Sequence, residues 1–532
     1  MENLSFQVDQ AFLLFDRGEW QQSKELYSKI LNQAVQETNF SVQVSALWGL
    51  AANHNRQNNY GEAITFATQG LQVCQQNEIR EENCFWQELG TTYYFQADYA
   101  KARAYYEKAL KFNQETGDRH GEASNLLCLA NIKLSMNEAL KAIQCYEQVL
   151  TIYRDMGDKR EEGLTLSNLA NAYKDRNQLK KSLGYYEQAL EISILLKNNS
   201  RRSTCLREMG EIYRRLGNYE KAINLLEESL SFTLELGEQS RNADTWKLLG
   251  LTYSNLQQYD KAVKLLDKAL DTSKSINDRS NVASCYALLA EAYLCNGDDT
   301  KASKFATEGL SLQREIGDRN DEATSLSILG SISRNSQDYD KAISFYEQAL
   351  SVSKAINDKC GVASRTCLLG YIHKLMEQYE EALEYYNNAL SLYVELELGK
   401  DQAETLKWIG DVYTAQNNKS EAMNFYQKAL DVYEKAGLKF GEQSITYTIG
   451  CSFHNSKSYK QALPFLQKSL ALAKELERSS DIANSHYMLG WTCHSLGQIN
   501  EATQHYKAAE TLYVQLGDTQ WASNARQKLQ LL

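Results

Sequence analysis

A small residue returns every forty positions along this chain. Gly90, Ala130, Ala170, Gly210, Gly250, Ala290, Gly330, Gly370, Gly410, Gly450 and Gly490 stand 40 residues apart, and Ala51 and Ala11 extend the series with one step of 39. Self-similarity held over such a length is the mark of a repeat architecture, in which each unit buries its apolar face against its neighbours. Twelve residues after each of these positions comes a second small residue, from Ser23 and Ala63 through Ala342 to Ala502. Four further on stands a mostly aromatic or aliphatic column: Tyr27, Tyr106, Tyr146, Tyr186, Leu226, Leu266, Tyr346, Tyr386, Tyr426, Leu466 and Tyr506, broken by Ala67 and Ala306. A leucine follows another four on, from Leu31 to Leu470.

Within one unit the spacing predicts two helices. Around Gly330 the residues Ala323, Leu326, Leu329 and Gly330 share one helical face. The break RNSQDYD offers Ser and Asp as caps for a second helix, whose stripe is Ala342, Phe345, Tyr346, Ala349 and Leu350. Units often close on Gly-Asp, as at Gly117-Asp118, Gly157-Asp158, Gly317-Asp318 and Gly517-Asp518. There Gly can end one helix and Asp begin the next. The small residues of the two helices are expected to be their points of contact, with Tyr, Phe and Leu filling the space on either side.

Composition agrees with one long helical body. The 532 residues include one proline, which would remove a helix donor, and no linker-like stretch. Residues 1–517 are therefore expected to form a continuous array, with residues 518–532 as a capping helix carrying Asn524, Arg526, Gln527 and Lys528 around Ala522, Ala525 and Leu529. The net charge of −11 disfavours nucleic acid and anionic membrane as partners. No apolar run is long enough to insert into a bilayer, and the N-terminus lacks the pattern of a secretory signal. Eleven cysteines without C-x-x-C spacing fit reduced thiols and a cytoplasmic location.

Catalytic signatures are missing from the sequence. There is no H-E-x-x-H, G-x-S-x-G, G-x-x-x-x-G-K-[ST] or G-x-G-x-x-G, and the seven histidines form no strong metal-ligand motif. The expectation is a protein that is not an enzyme and needs neither cofactor nor metal.

The pattern L-G-x-x-Y, Y-x-x-A, Y-x-x-A-L, as in LGLTYSNLQQYDKAVKLLDKAL over 249–270, resembles the tetratricopeptide repeat. Trp86 and Trp246, four residues before the glycine, match that family's first-helix tryptophan. The 40-residue step with a G-D-[RK] junction is similar to the variant in LGN/Pins proteins, kinesin light chains and many bacterial repeat proteins. The resemblance implies an all-α, right-handed α-solenoid of about thirteen helix-turn-helix units plus the cap. Its first helices would line a concave groove that holds a peptide or a partner helix. The heptads that precede kinesin light chain repeats and the GoLoco motifs that follow those of LGN have no counterpart here. Asn just after the small residue, common in those relatives, occurs only at Asn131 and Asn171.

By that resemblance, groove-facing positions lie three residues before the small residue and one and four after it. They place Lys174, Arg207, Glu211, Arg214 and Lys247 inside, with Arg215 adjacent. Arginines there suit the carboxylates of an acidic partner segment, although the same charges suit a solvated face with Glu211 paired to an arginine. The last units put Tyr447, Tyr487 and Trp491 in these columns, beside His454 and His494. They can be read as an apolar anchor pocket or as packing against the cap. The expected function is a scaffold that binds peptide or protein partners in its groove. The alternative is a peptide-gated regulator whose superhelix changes conformation, and self-association through an exposed array end is a separate expectation.

Overall fold

A computed structural model describes residues 2–136 and 138–532, with side chains from Leu4 onward. The described residues form 27 helices and no strand, from α1 (Glu2–Asp16) to α27 (Thr519–Gln530). Most are 17 or 18 residues long and pack in consecutive antiparallel pairs, as an α-solenoid does. Two compact units divide the chain, one ending at Ile212 and the other beginning at Tyr213.

Local chemistry explains the boundaries. Asp118, Asp158, Asp318 and Asp338 each accept a backbone N–H bond three residues on, at 2.9–3.2 Å, and so cap the helix that follows. Gly117, Gly157, Gly317 and Gly437 end the preceding helices in the left-handed region. Many equivalent turns reach that region without glycine. Gln257, Gln337, Glu377 and Lys457 turn inside their units, and Lys197, Asn277, Glu397 and Glu477 between units, all with φ from 52° to 61°. The single 39-residue step coincides with a shortened helix, α5 (Glu82–Phe95), entered through a longer connection over residues 77–81.

The small residues of each pair meet as expected, with Gly250 and Gly410 against the backbone oxygens of Ala262 and Ala422 and Ser182 donating to the Ala170 carbonyl at 2.7 Å, and the large residue four further on shares the contact. A Cβ added at Gly90, Gly330, Gly410 or Gly490 would lie 2.6–2.9 Å from the ring of Tyr106, Tyr346, Tyr426 or Tyr506. The leucines Leu266 and Leu466 take the same place over Gly250 and Gly450. The first-helix glycine thus makes room for the large residue of its own unit. A bare glycine gives an aromatic ring a flat seat at helix-packing distance, whereas the units of Tyr146 and Tyr186 carry Ala130 and Ala170 at that position.

That arrangement buries a phenol hydroxyl, which then requires a partner. The residue just after the small one supplies it. Tyr146 donates to Asn131 at 2.5 Å, Tyr186 to Asn171 at 2.6 Å and Tyr426 to Asp411 at 2.7 Å. Tyr106 and Tyr346 pair with the hydroxyls of Thr91 and Ser331 at 2.8 and 3.0 Å. Where Tyr371 and Trp491 occupy that position, the hydroxyls of Tyr386 and Tyr506 have no partner among the described residues.

Curvature follows from which helices approach across a repeat. In the first unit α1 touches α3 (Phe40–Arg56), and α3 touches α5. In the second, α13 (Gln239–Asn255), α15 (Arg279–Cys295) and α17 (Arg319–Asn335) touch in succession, as do α21 (Gly399–Ala415), α23 (Lys439–Asn455) and α25 (Ser479–Ser495). Even-numbered helices do not approach one another to this degree. In these stretches the first helices therefore form the inner side of the bend. At the C-terminus α27 packs on α26 (Ile499–Gln515) through Ala522 and Ala525, with Leu529 and Leu532 against the same core.

Candidate partner-binding surface

The inner helices are joined by polar side chains reaching from one first helix to the next. In the first unit Asn55 donates to Glu88 at 2.8 Å and Gln87 to Asn125 at 3.2 Å. In the second, Arg365 reaches Thr324 at 3.4 Å, and the His454 Nδ1 lies 2.9 Å from the Thr492 hydroxyl. Each rung joins residues 33 to 41 apart in sequence, so neighbouring repeats contribute one member each.

The basic residues expected to face a partner fall on both sides of the division between units. In the first, Lys174 from α9 (Lys159–Asp175) reaches the Glu208 carboxylate at 2.5 Å, and Arg207 reaches its other oxygen at 2.8 Å; both belong with α11 (Asn199–Arg215) as their target helix. The Lys174, Arg207 and Glu208 side chains are only 16–24% exposed. Glu211, one turn on, is buried. In the second unit Lys247 pairs with Asp244 at 3.1 Å and with Asn281 of the next first helix. Arg214 is half-buried and Arg215 exposed. Glu208 is the member that sequence reasoning missed, because its column, two residues before the small one, was not assigned to the inner face.

The aromatic positions at the C-terminal end do not form one pocket. Tyr487 is buried, with the Trp521 ring of α27 5.2 Å away, edge-on. Trp491 lies 4.7 Å from the His454 ring, and the Lys528 ammonium of α27 sits 4.8 Å from its centroid. The cap helix therefore takes up one side of both residues, and Trp491 keeps 37% of its surface exposed. His454 is buried; burial lowers its pKa first, and the charge of Lys528 adds to that.

Tyr447 packs against the core that holds Tyr487 and also lines a notch of about 310 Å³ between α21, α22 (Lys419–Ala436) and α23. Thr414, Asn417, Thr448, Ser452 and Asn455 line it with small neutral polar groups, and Tyr426 closes one side. Burial pushes the nearby Cys451 thiol up to about 11, which keeps it protonated and inert at neutral pH. Lys419 also lines the notch, so its walls offer neutral donors and acceptors beside a single cation.

Among the described residues no group of three or more His, Cys, Asp or Glu could hold a metal ion. No described helix is long and apolar enough to cross a membrane. No curated protein matches the chain. Several solved structures are similar to parts of it at low identity. A Rap protein complexed with competence and sporulation factor is 18% identical, covering 67% of this chain and 99% of its own, with a TM-score of 0.48. A signal-transduction ATPase with a tetratricopeptide repeat sensor from Pyrococcus horikoshii is 20% identical over 66% of this chain and 54% of its own, with a TM-score of 0.44. The APC/C hetero-tetramer Cut9–Hcn1 is 15% identical over 98% and 95%, also with a TM-score of 0.44. A tetratricopeptide repeat model matches residues 81–155, 161–235, 241–315, 361–435 and 443–514, and a second such model matches 325–359. With matched segments spread over most of its length and the helix pairs described above, the chain belongs to the tetratricopeptide repeat family.

Proposed function

We propose that this protein is a non-catalytic scaffold that binds peptide or protein partners along the surface made by its first helices. The observation that carries the reading is the close approach of first helices within each unit, as over α1–α5 and α21–α25, which brings chemically varied side chains from successive repeats onto one surface of that unit. The core of each pair is complete without these residues, so the inner columns are open to selection for recognition. An acidic segment is the partner chemistry that best matches Lys174 and Arg207 in the first unit and, separately, Arg214, Arg215 and Lys247 in the second. Their present carboxylate and amide partners would exchange for those of the ligand, with Arg giving bidentate geometry.

Affinity capture with the native chain and with an Arg207→Glu/Arg214→Glu/Arg215→Glu variant tests this, followed by titration of each captured partner in purified form. The expected outcome is a loss of at least tenfold in affinity for the variant and weaker binding at high salt, with helicity unchanged. Full binding by a folded variant would move the site to the Tyr447 notch and the Trp491 end, or off the inner surface.

A further inference from the structure

Inside the second unit a cavity of about 180 Å³ lies between two stretches of chain far apart in sequence. One wall is the turn that leads into α12 (Tyr219–Glu235), from Arg215 to Tyr219. The other is built by α21 and the start of α23. Lys400, Glu404, Lys407 and Trp408 project into it from α21, spaced so that they share one helical face. Phe440 and Ser444 come from α23. The Tyr433 ring lies so close over Gly441 that a Cβ there would be 2.1 Å from it, which fixes the floor.

Charge in this cavity is one-sided. Arg215, Lys400, Lys407 and Lys439 line it against the single carboxylate of Glu404. Lys439 also pairs with Glu475 outside the cavity. Among the described residues neither Lys400 nor Lys407 is in an ion pair, while neighbouring lysines on exposed helix faces commonly are. Burial raises the pKa of Glu404, and Lys400 and Lys407 only partly offset it. The walls between the cations are aromatic: Trp408, Tyr433 and Phe440. For scale, an apolar cavity of about 150 Å³ takes up a benzene ring. The space here matches one ring-sized group with a negative charge at its edge.

We propose that this cavity anchors one aromatic side chain of a peptide partner together with an adjacent carboxylate, the ring between Trp408, Tyr433 and Phe440 and the carboxylate on Lys400 and Lys407. The proposal rests on the reading of the protein as a peptide-binding scaffold and names the chemistry of one anchor. It also assigns the ligand a bridging role, because Arg215 and Tyr219 close the cavity from five repeats earlier in the same unit.

The test uses the full chain and three small probes, followed by ligand-observed NMR titration. Acetyl-phenylalanine carries a chain-terminal carboxylate, acetyl-Asp-Phe-amide a side-chain carboxylate, and acetyl-phenylalanine-amide none. At least one acid is expected to bind tenfold or more tightly than the neutral amide, and the stronger acid identifies which carboxylate the site takes. Lys400→Ala/Lys407→Ala should remove that preference. Ser444→Trp, which fills the cavity from α23, should remove binding of all three, with helicity retained in both variants. Equal binding of acid and amide, or binding unchanged in both folded variants, overturns the proposal. If no probe binds while captured partners still depend on the inner arginines, the anchor is wrong and the scaffold reading stands. If the probes bind as expected and no polypeptide partner exists, the cavity stands and the scaffold reading falls.

Discussion

Tyr346 rests on Gly330 with no room for one more atom between them. A Cβ at Gly330 would meet the ring at 2.7 Å, so Gly330→Ala should cost about 1–3 kcal/mol by overpacking. Gly184, inside helix α10 (Leu179–Leu195), has nothing within 4 Å of the same added atom, and Gly184→Ala should gain up to about 1 kcal/mol. Urea midpoints of the two variants are expected to move in opposite directions. The sequence made the glycine and tyrosine columns visible but not their pairing. Spacing says which residues face inward; which ring fills which void depends on how closely two backbones approach. The same limit hid the role of Asn131 and Asn171 as hydroxyl acceptors. A second prediction at this scale concerns the His486 and His505 rings, whose Nδ1 atoms are 2.8 Å apart. Burial lowers both pKa values, and that of His486, also repelled by His505 and Lys474, falls to about 4. A depressed folded pKa gives stability that is complete above the unfolded value near 6.5 and is lost as pH falls toward 4. Hydrogen exchange in α25 and α26 should accelerate over that window, and His486→Phe should flatten the response.

At the scale of the element, helix boundaries were largely legible because Gly-Asp and Asp caps announce them. Turns at Gln257, Gln337 and Glu377 were not, since nothing in a glutamine or glutamate signals a left-handed backbone. Such a conformation costs a non-glycine residue about 1–2 kcal/mol, against about 0.5–1 kcal/mol of extra chain entropy lost by glycine. Gln337→Gly should therefore stabilise the array by about 0.5 kcal/mol, read as a higher urea midpoint, while Asn417→Gly should change little because Asn accepts this region. The lone proline also lay hidden in the composition. Pro464 sits within α24 (Tyr459–Glu475), exposed and past the first turn, where it forfeits one ladder bond.

Over the whole molecule the forty-residue step was legible from end to end, and the division at Ile212 was not, because the repeat keeps its phase straight through it. The inner columns could likewise be read, whereas the partners of Lys174 and Arg207 could not: Glu208 meets Lys174 from a neighbouring repeat, 34 residues away. Stability in such an array is a sum of nearest-neighbour terms. Gly410→Val, which crowds the Tyr426 ring, should accordingly speed hydrogen exchange in α21 to α23 and leave α3 and α5 of the first unit protected. Uniform acceleration along the chain would mean that the array melts as one cooperative block.

The side-chain rungs between odd-numbered helices have a mechanical consequence. A bent rod resists most strongly where its material is bonded along its length, and here most of those bonds are on the inside of the bend, with Arg154–Gln188 and Lys468–Glu434 joining outer helices. Each unit should behave as a leaf spring with its neutral axis displaced toward the inner surface. Flexing then strains the outer helix contacts first, while the inner surface changes length little. Severing one inner rung softens the spring at that repeat alone, so a bound segment that replaces a rung would adjust local stiffness without remaking the core.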